Sequence, residues 1–244
     1  MRSKRNKALK WIIPAASAAA VTLTAGSLVR MGLHFMGPLR HLAVDKIKIR
    51  YPNDEYGKGI VFYGASNFAR WQDMESDLSG FPVQNHGFGG STDKDLIRYA
   101  EEILFPYDPR IVVFQTGSND YVQESGTDEE KINTCMERKQ AMFNAFHERL
   151  PEAHFVVMSG LLLPGRSQFL DLTLEINRRL NELCAATPWM TYIDAGDMTY
   201  SYGEYAEDLF MKDRIHLNRD GQRRWAENYI RPVLTALWQD QPSA

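Results

Sequence analysis

The chain has 244 residues, of which 44% are hydrophobic and 24% are charged, a composition typical of one globular domain of ordinary size. Its net charge of −3 is unevenly distributed, because seven basic residues and no acidic residue precede Asp45. The remaining chain carries 21 Lys and Arg against 31 Asp and Glu, and this acidic excess argues against nucleic-acid binding. The two cysteines and six histidines show no spacing typical of metal ligands, so no metal site is expected.

The N-terminal segment combines these cations with a long uncharged stretch. Five of the seven cations lie within the first ten residues, and residues 11–29, WIIPAASAAAVTLTAGSLV, carry no charge. Nineteen such residues are just long enough to span a bilayer as a helix, and the cations before them favour a cytoplasmic N-terminus. We therefore expect an uncleaved membrane anchor. A cleaved signal peptide, or a buried or disordered helix, is the alternative.

From about residue 58 the sequence alternates between short β-type runs and segments with helical spacing. The predicted strands lie at residues 59–64, 82–87, 110–117, 154–160 and 189–196. Apolar stripes predict helices over residues 128–149, 170–186 and 225–237. The last of these contains Pro232, so a kink at that residue is one possibility. This alternation predicts an α/β protein with a three-layer α/β/α flavodoxin-like fold and a parallel central sheet of about five strands.

The first predicted strand ends in GASN, residues 64–67, at the edge of a parallel sheet where functional residues usually lie. Ser66 has two interpretations in this position. Its hydroxyl could cap the following helix by accepting a backbone N–H, or it could attack a bound substrate. A Gly-x-Ser without partners is more often a cap or a turn, so the choice depends on the rest of the chain.

A glycine-rich loop, NHGFGGSTDKDL, follows the second predicted strand at residues 85–96. A dinucleotide-binding fingerprint starting at Gly87 would need glycine where Thr92 stands, and a P-loop would need a lysine after Gly90. Both nucleotide-binding interpretations are therefore weak. The remaining interpretation is that Gly89 and Gly90 let backbone N–H groups come close to a bound group.

Two later stretches supply polar side chains to the same edge. TGSNDY, residues 116–121, is either an ordinary turn or a segment that presents the Asn119 amide as a hydrogen-bond donor. In LFMKDRIHLNRDGQ, residues 209–222, Asp213 precedes His216 by three positions. This spacing lets the carboxylate bind the imidazole Nδ1–H and leaves Nε2 free as a base, although the pair alone is also typical of a surface turn.

Together these four stretches resemble the SGNH hydrolase family, also called GDSL-type esterases and lipases. The family's serine block matches GASN and its glycine block matches GFGGST, which implies Ser66 as the nucleophile and Gly90 as an oxyanion glycine. Its Gly-x-Asn-Asp block implies Asn119 as a second oxyanion donor. Its Asp-x-x-His block implies Asp213 and His216 as the remaining members of a triad.

The resemblance covers roughly residues 58–235 in family order. One departure is that the Gly-Asp-Ser of the GDSL group is Gly-Ala-Ser here, which weakens the lipase label but removes no catalytic group. Trp71 together with GFGGST is similar to a bacterial subgroup. The expected organisation is a basic N-terminus, anchor or signal segment and linker at residues 1–44, followed by the hydrolase domain at residues 45–244.

The resemblance implies a carboxylic ester hydrolase that cleaves small acyl or acetyl esters through an acyl-enzyme. The oxyanion would be held by the backbone N–H groups of Ser66 and Gly90 and by Asn119. The family needs no cofactor. The expected partners are a small-molecule, glycan or lipid ester and, through the N-terminal segment, the membrane.

Two alternatives to hydrolysis remain open. An O-acyltransferase would use the same residues to pass the acyl group to a cell-envelope glycan. A membrane-tethered binding module would have lost activity, although four intact blocks argue against it. The expected location is the cytoplasmic membrane with the domain outside the cytoplasm or, after signal cleavage, a secreted or periplasmic protein.

We expect protease added to intact spheroplasts to digest residues 45–244, because the N-terminal cations resist translocation and leave the acidic domain outside. N-terminal sequencing of the isolated protein distinguishes an anchor, in which residues 11–29 persist, from a cleaved signal peptide. Protection of the domain in spheroplasts, with its release into the soluble fraction on lysis, would contradict this orientation.

Overall fold

The computed structural model describes residues 39–239, so the expected anchor at residues 11–29 lies outside the described part of the chain. Between residues 39 and 239, no helix has both the length and the apolar character needed to cross a membrane. The membrane anchor therefore stays a prediction from sequence.

Five parallel strands form the central sheet. In chain order they are β1 (Ile60–Gly64), β2 (Val83–Asn85), β3 (Ile111–Gln115), β4 (His154–Met158) and β5 (Met190–Ile193). Their spatial order is β2-β1-β3-β4-β5, in which the chain changes direction between β1 and β3 and opens a crevice at the carboxyl edge. The predicted α/β fold with a central parallel sheet of five strands is confirmed.

Consecutive residues of each strand contribute to opposite faces of the sheet. On β1, Val61 and Tyr63 belong to one hydrophobic cluster, whereas Ile60 and Phe62 belong to the other. All four side chains are fully buried. Because both faces are covered, β1, β3 and β4 are mainly continuous apolar runs in the sequence rather than alternating ones.

Helices cover both faces of the sheet. One face packs against α1 (Arg40–Arg50), α4 (Asp93–Ile103), α6 (Asp128–Arg149) and α7 (Leu170–Ala185). The other face packs against α2 (Ser66–Ala69), α3 (Met74–Asp77), α9 (Arg219–Trp225) and α10 (Arg231–Gln239). Two more short helices, α5 (Ser118–Gln123) and α8 (Gly196–Thr199), lie after strands β3 and β5, and a small hairpin pairs β6 (Tyr200–Ser201) with β7 (Glu204–Tyr205).

Helices α6 and α7 agree with the predicted helices at residues 128–149 and 170–186 to within one residue. The last predicted helix differs, because a π-helical segment, Ala226–Ile230, lies between α9 and α10. Pro232 follows this segment and has no N–H to donate to the preceding turn. A wider turn before the proline is a local adjustment that lets the helix continue past it.

Helix α1 was not predicted from the sequence, and it crosses the expected boundary between residues 44 and 45. Val44 and Ile47 bury their side chains in the cluster on the first face of the sheet. The Arg40 guanidinium donates to Asp95 Oδ1 at 2.5 Å and to Gly90 O at 2.7 Å. The segment just before residue 45 is therefore packed against the domain, next to the glycine loop.

A buried ion pair joins α4 to α6 below the carboxyl edge of the sheet. Lys139 Nζ lies 3.0 Å from Asp93 Oδ1, and the two side chains are 2% and 0% exposed. Thr116 Oγ1 donates to the same carboxylate oxygen at 3.0 Å. Charges removed from water this completely are tolerated only while they remain paired.

Lys139→Met should lower the free energy of unfolding by about 3–5 kcal/mol, because it leaves the Asp93 carboxylate buried without its cation. Lys48→Met is the matched control. Lys48 pairs with Glu102 at 2.8 Å, but these side chains are 42% and 46% exposed, so the loss of this pair should change the free energy of unfolding far less. Urea unfolding measures both variants, and equal losses would contradict this interpretation of the buried pair.

Candidate active site

Ser66 lies at the carboxyl end of β1, where it is the first residue of the short helix α2. Ala65 occupies the N-cap position and no side chain caps the helix, so the Ser66 hydroxyl is not used as a cap. Its Oγ lies instead 2.8 Å from His216 Nε2. This contact joins the end of the first strand to the loop before α9.

A single carboxylate organises the turn that carries His216. Asp213 Oδ2 lies 2.7 Å from His216 Nδ1, and Asp213 Oδ1 accepts from the backbone N–H groups of Ile215 and His216, each at 3.0 Å. Arg214 adopts a left-handed φ of +57°, which is uncommon for a residue other than glycine. Its guanidinium forms an ion pair with Glu207. The turn therefore orients the imidazole ring towards Ser66 through contacts of its own.

The pKa values of Asp213 and His216 move in the same direction for different reasons. Burial by itself would raise the pKa of Asp213, but hydrogen bonds from the backbone and ring of His216 and from Ile215 N–H lower it to about 2. Burial lowers the pKa of His216 below 6.5; the Asp213 carboxylate opposes this effect, and the positive charges of Arg70 and Arg166 add to it. At neutral pH the carboxylate is charged and the imidazole is neutral, so Nε2 can accept a proton.

The glycine loop is attached to the end of β1. Gly64 O accepts from Phe88 N–H at 3.0 Å and from Ser91 Oγ at 3.2 Å. Gly90 has a φ of +70°, in the left-handed region that glycine adopts most easily. In the part of the chain that the structure describes, the backbone N–H groups of Ser66 and Gly90 donate to no acceptor, which leaves both free for a ligand.

Asn119 lies in the first turn of α5 and is 4% exposed. Its Nδ2 donates to Ser91 O at 2.9 Å, and its Oδ1 accepts from Arg166 Nη2 at 3.1 Å. Ser91 thus connects Asn119 to the loop that carries Gly90. The five residues singled out from the sequence therefore lie at the same edge of the sheet.

Sequence reasoning did not identify the buried charges around α5. Arg166 is the one charged residue in the stretch from 155 to 170, and a lone charge after a buried strand was the available signal. Asp120 Oδ1 accepts from Asp93 N–H at 3.0 Å and lies 3.2 Å from Arg138 Nη1. Burial and the charge of Asp93 raise the pKa of Asp120 above its ordinary value.

His86 lies next to the glycine loop but takes no part in this hydrogen-bond chain. It is fully buried, and its Nδ1 lies 2.6 Å from Ile103 O. Burial lowers the pKa of its ring to about 4. Across residues 39–239, no three His, Cys, Asp or Glu side chains form a group that could hold a metal ion.

The model of the GDSL-like lipase/acylhydrolase family matches residues 54–224, well over half of the chain. This range contains Ser66, Gly90, Asn119, Asp213 and His216. No protein among the curated sequences matches the chain.

Several solved structures share the fold. A GDSL-like lipase from Bacteroides thetaiotaomicron has a TM-score of 0.60 at 16% identity, covering 79% of this chain and 97% of that one. The C-terminal catalytic domain of peptidoglycan O-acetyltransferase A from Streptococcus pneumoniae has a TM-score of 0.55 at 17% identity, covering 77% and 97%. A variant of a Geobacillus acetyl-xylooligosaccharide esterase has a TM-score of 0.55 at 15% identity, covering 78% and 98%. At these identities the likeness establishes the fold alone.

We expect an NMR titration to give the His216 ring a pKa below 6.5, because burial disfavours the imidazolium. Asp213→Asn should lower this pKa further, since it removes the carboxylate whose hydrogen bond and charge stabilise the protonated ring. His154, at the start of β4, provides the internal reference and should titrate identically in both proteins. An unchanged or higher pKa of His216 in Asp213→Asn would contradict the arrangement described above.

Proposed function

Because the chain belongs to the GDSL-like lipase/acylhydrolase family, we propose that it is a serine esterase that cleaves small acyl or acetyl esters. In this proposal Ser66 is the nucleophile, His216 is the general base, and Asp213 orients the imidazole and stabilises its protonated form. The observation that carries the proposal is the hydrogen-bond chain from Asp213 through His216 to Ser66, with distances of 2.7 and 2.8 Å.

The reaction begins when Ser66 Oγ attacks the ester carbonyl carbon and transfers its proton to His216 Nε2, which lies 2.8 Å away. The lowered pKa of His216 keeps the ring neutral at neutral pH, and the Asp213 charge stabilises the imidazolium once it forms. The imidazolium then protonates the leaving alkoxide. A water molecule that donates its proton to the same nitrogen attacks the acyl-enzyme. The bond from the acyl carbon to Ser66 Oγ then breaks, the acid is released, and Oγ takes the proton back from His216 Nε2.

Three hydrogen-bond donors are available for the oxyanion that develops on the carbonyl oxygen. The backbone N–H groups of Ser66 and Gly90 have no acceptor within the described residues. Asn119 Nδ2 donates one hydrogen to Ser91 O and retains the other. Donors that are held in place before the reaction lower its barrier, because they need not reorganise as charge develops.

Acyl transfer to a cell-envelope glycan is the second candidate function. It is supported by the fold shared with the peptidoglycan O-acetyltransferase domain from Streptococcus pneumoniae. Both reactions would pass through the same acyl-enzyme and would differ in whether water or a sugar hydroxyl removes the acyl group. An inactive binding module is less well supported, because the hydrogen-bond chain between Asp213, His216 and Ser66 is intact.

We propose also that residues 11–29 hold the domain on the outer side of the cytoplasmic membrane. The support is the distribution of charge and apolar residues in the sequence. Ten residues separate this segment from α1, which begins at Arg40, and ten residues reach at most about 35 Å. The site would therefore operate near the bilayer, where esters of envelope glycans, of lipids and of small molecules are accessible.

Ser66→Ala should abolish both covalent labelling by a fluorophosphonate probe and the hydrolysis of an aryl ester, because it removes the attacking oxygen. Ser76→Ala is the control; this exposed serine lies on α3, outside the site, and its replacement should leave both readouts unchanged. Labelling of Ser66→Ala at the level of the unmodified protein would disprove the assignment of the nucleophile.

Addition of a glycan acceptor to the aryl-ester assay distinguishes hydrolysis from transfer. Free acid as the main product at every acceptor concentration supports the esterase. Acylated glycan as the main product supports the transferase instead. A series of aryl esters with increasing acyl length then measures the size of the acyl pocket.

A further inference from the structure

Arg166 is buried in a part of the chain that otherwise lacks charge. It lies in the 3₁₀ segment Pro164–Phe169 after β4, and only 6% of its surface is exposed. Within residues 39–239 no carboxylate forms an ion pair with it. A guanidinium that is buried without an anionic partner lowers the stability of the folded protein. The groups that it does bind therefore indicate its role.

Two hydrogen bonds join the Arg166 guanidinium to the first turn of α5. Its Nη1 donates to Ser118 O at 2.6 Å, and its Nη2 donates to Asn119 Oδ1 at 3.1 Å. The guanidinium therefore binds the backbone and the side chain of the same short segment. That segment carries Asn119, whose amide is one of the proposed oxyanion donors.

This contact determines which way round the Asn119 amide is held. A guanidinium can only donate hydrogen bonds, so it selects the amide oxygen, and Ser91 O can only accept, so it selects the amide nitrogen. The two neighbours together exclude the flipped amide. In that orientation the amide NH₂ would face the Arg166 donors, and the amide oxygen would face the Ser91 carbonyl oxygen. The positively charged guanidinium beside the amide oxygen also withdraws electron density from the amide NH₂ group, which makes that group a stronger hydrogen-bond donor.

The segment that carries Arg166 also contacts the turn of the proposed triad. Gly165 N–H donates to Arg214 O at 2.8 Å. A side chain at Gly165 would approach the carbonyl oxygens of Asp213 and Arg214 to 2.9 Å, so the two segments are in close contact. The segment Pro164–Phe169 therefore lies between the turn that holds His216 and the helix that holds Asn119.

We propose that Arg166 is a positioning residue, which holds the Asn119 amide with Nδ2 available to the oxyanion and strengthens that donor. The inference rests on the proposed function, since it names a further residue on which the same reaction depends. Arg166 acts on the oxyanion through Asn119 and forms no bond with the reacting atoms. Its charge also lowers the pKa of His216, so the variants below are compared on the alkaline plateau of the pH profile, where that ring is neutral.

Arg166→Met removes the charge and both donors but keeps a long side chain. It should lower kcat for an aryl ester by at least about tenfold and change KM little, because the oxyanion contact is formed mainly in the transition state. Arg166→Lys keeps the charge with a different donor geometry and should recover part of the loss. Arg178→Met, an exposed arginine on α7, is the control and should change neither constant.

A double-mutant cycle with Asn119→Ala tests whether Arg166 acts through Asn119. Asn119→Ala alone should lower kcat by about 10²–10³-fold. If Arg166 acts through this amide, adding Arg166→Met to Asn119→Ala should lower kcat by less than about threefold more. Losses that multiply in full would overturn the proposal, because they would mean that Arg166 supports the site by another route.

The Asn119 side-chain amide provides a readout that does not depend on activity. In ¹⁵N-labelled protein its NH₂ protons should exchange slowly with solvent, and Arg166→Met should make them exchange faster. The backbone resonances should still be those of a folded protein. If Arg166→Met does not fold, Arg166→Lys is used for the same comparison. Unchanged Asn119 signals in the folded variant would refute the positioning role even for a protein that hydrolyses no ester, so the two proposals fail separately.

Discussion

Three segments of the chain meet at the last residue of β1, and the candidate site depends on this junction. The carbonyl oxygen of Gly64 accepts from Phe88 N–H and from Ser91 Oγ, which attaches the glycine loop to the strand. A side chain at Gly64 would approach Gln115 O on β3 to 2.4 Å, so only glycine fits there. Because Ser66 follows two residues later, the contacts of Gly64 fix the proposed nucleophile relative to the glycine loop, which carries one of the proposed oxyanion donors.

The other side of the site is supported by charges buried below α5. Asp93 and Asp120 are fully buried and lie next to Lys139 and Arg138, so four ionisable side chains connect α4, α5 and α6. Breaking either pair would leave a buried charge without its partner, so the two pairs hold these helices together only while both stay intact. We interpret the network as a second support for α5, the short helix that carries Asn119 beside the glycine loop.

The regular elements that the sequence predicted are those whose signals are local. The strands β1, β3 and β4, buried on both faces, are mainly continuous apolar runs, and α6 and α7 carry apolar stripes at helical spacing. Helix α1 was not predicted because it buries mainly Val44 and Ile47, and two apolar residues do not form a clear stripe. The π-helical segment before Pro232 was not predicted either, because its formation depends on the packing of the helix as well as on the proline.

The sequence by itself predicted the contact between Asp213 and His216 as one of two interpretations of their spacing, because three residues in a tight turn leave few backbone dihedrals to vary. Through four short blocks that resemble a known family, it also predicted five residues of the candidate site. Only the tertiary structure decided that His216 meets Ser66 across 150 positions and that Arg166 meets Asn119 across 47. Such contacts depend on the angles and distances between whole strands and helices, which are set by the packing of the core and which no local pattern of residues encodes.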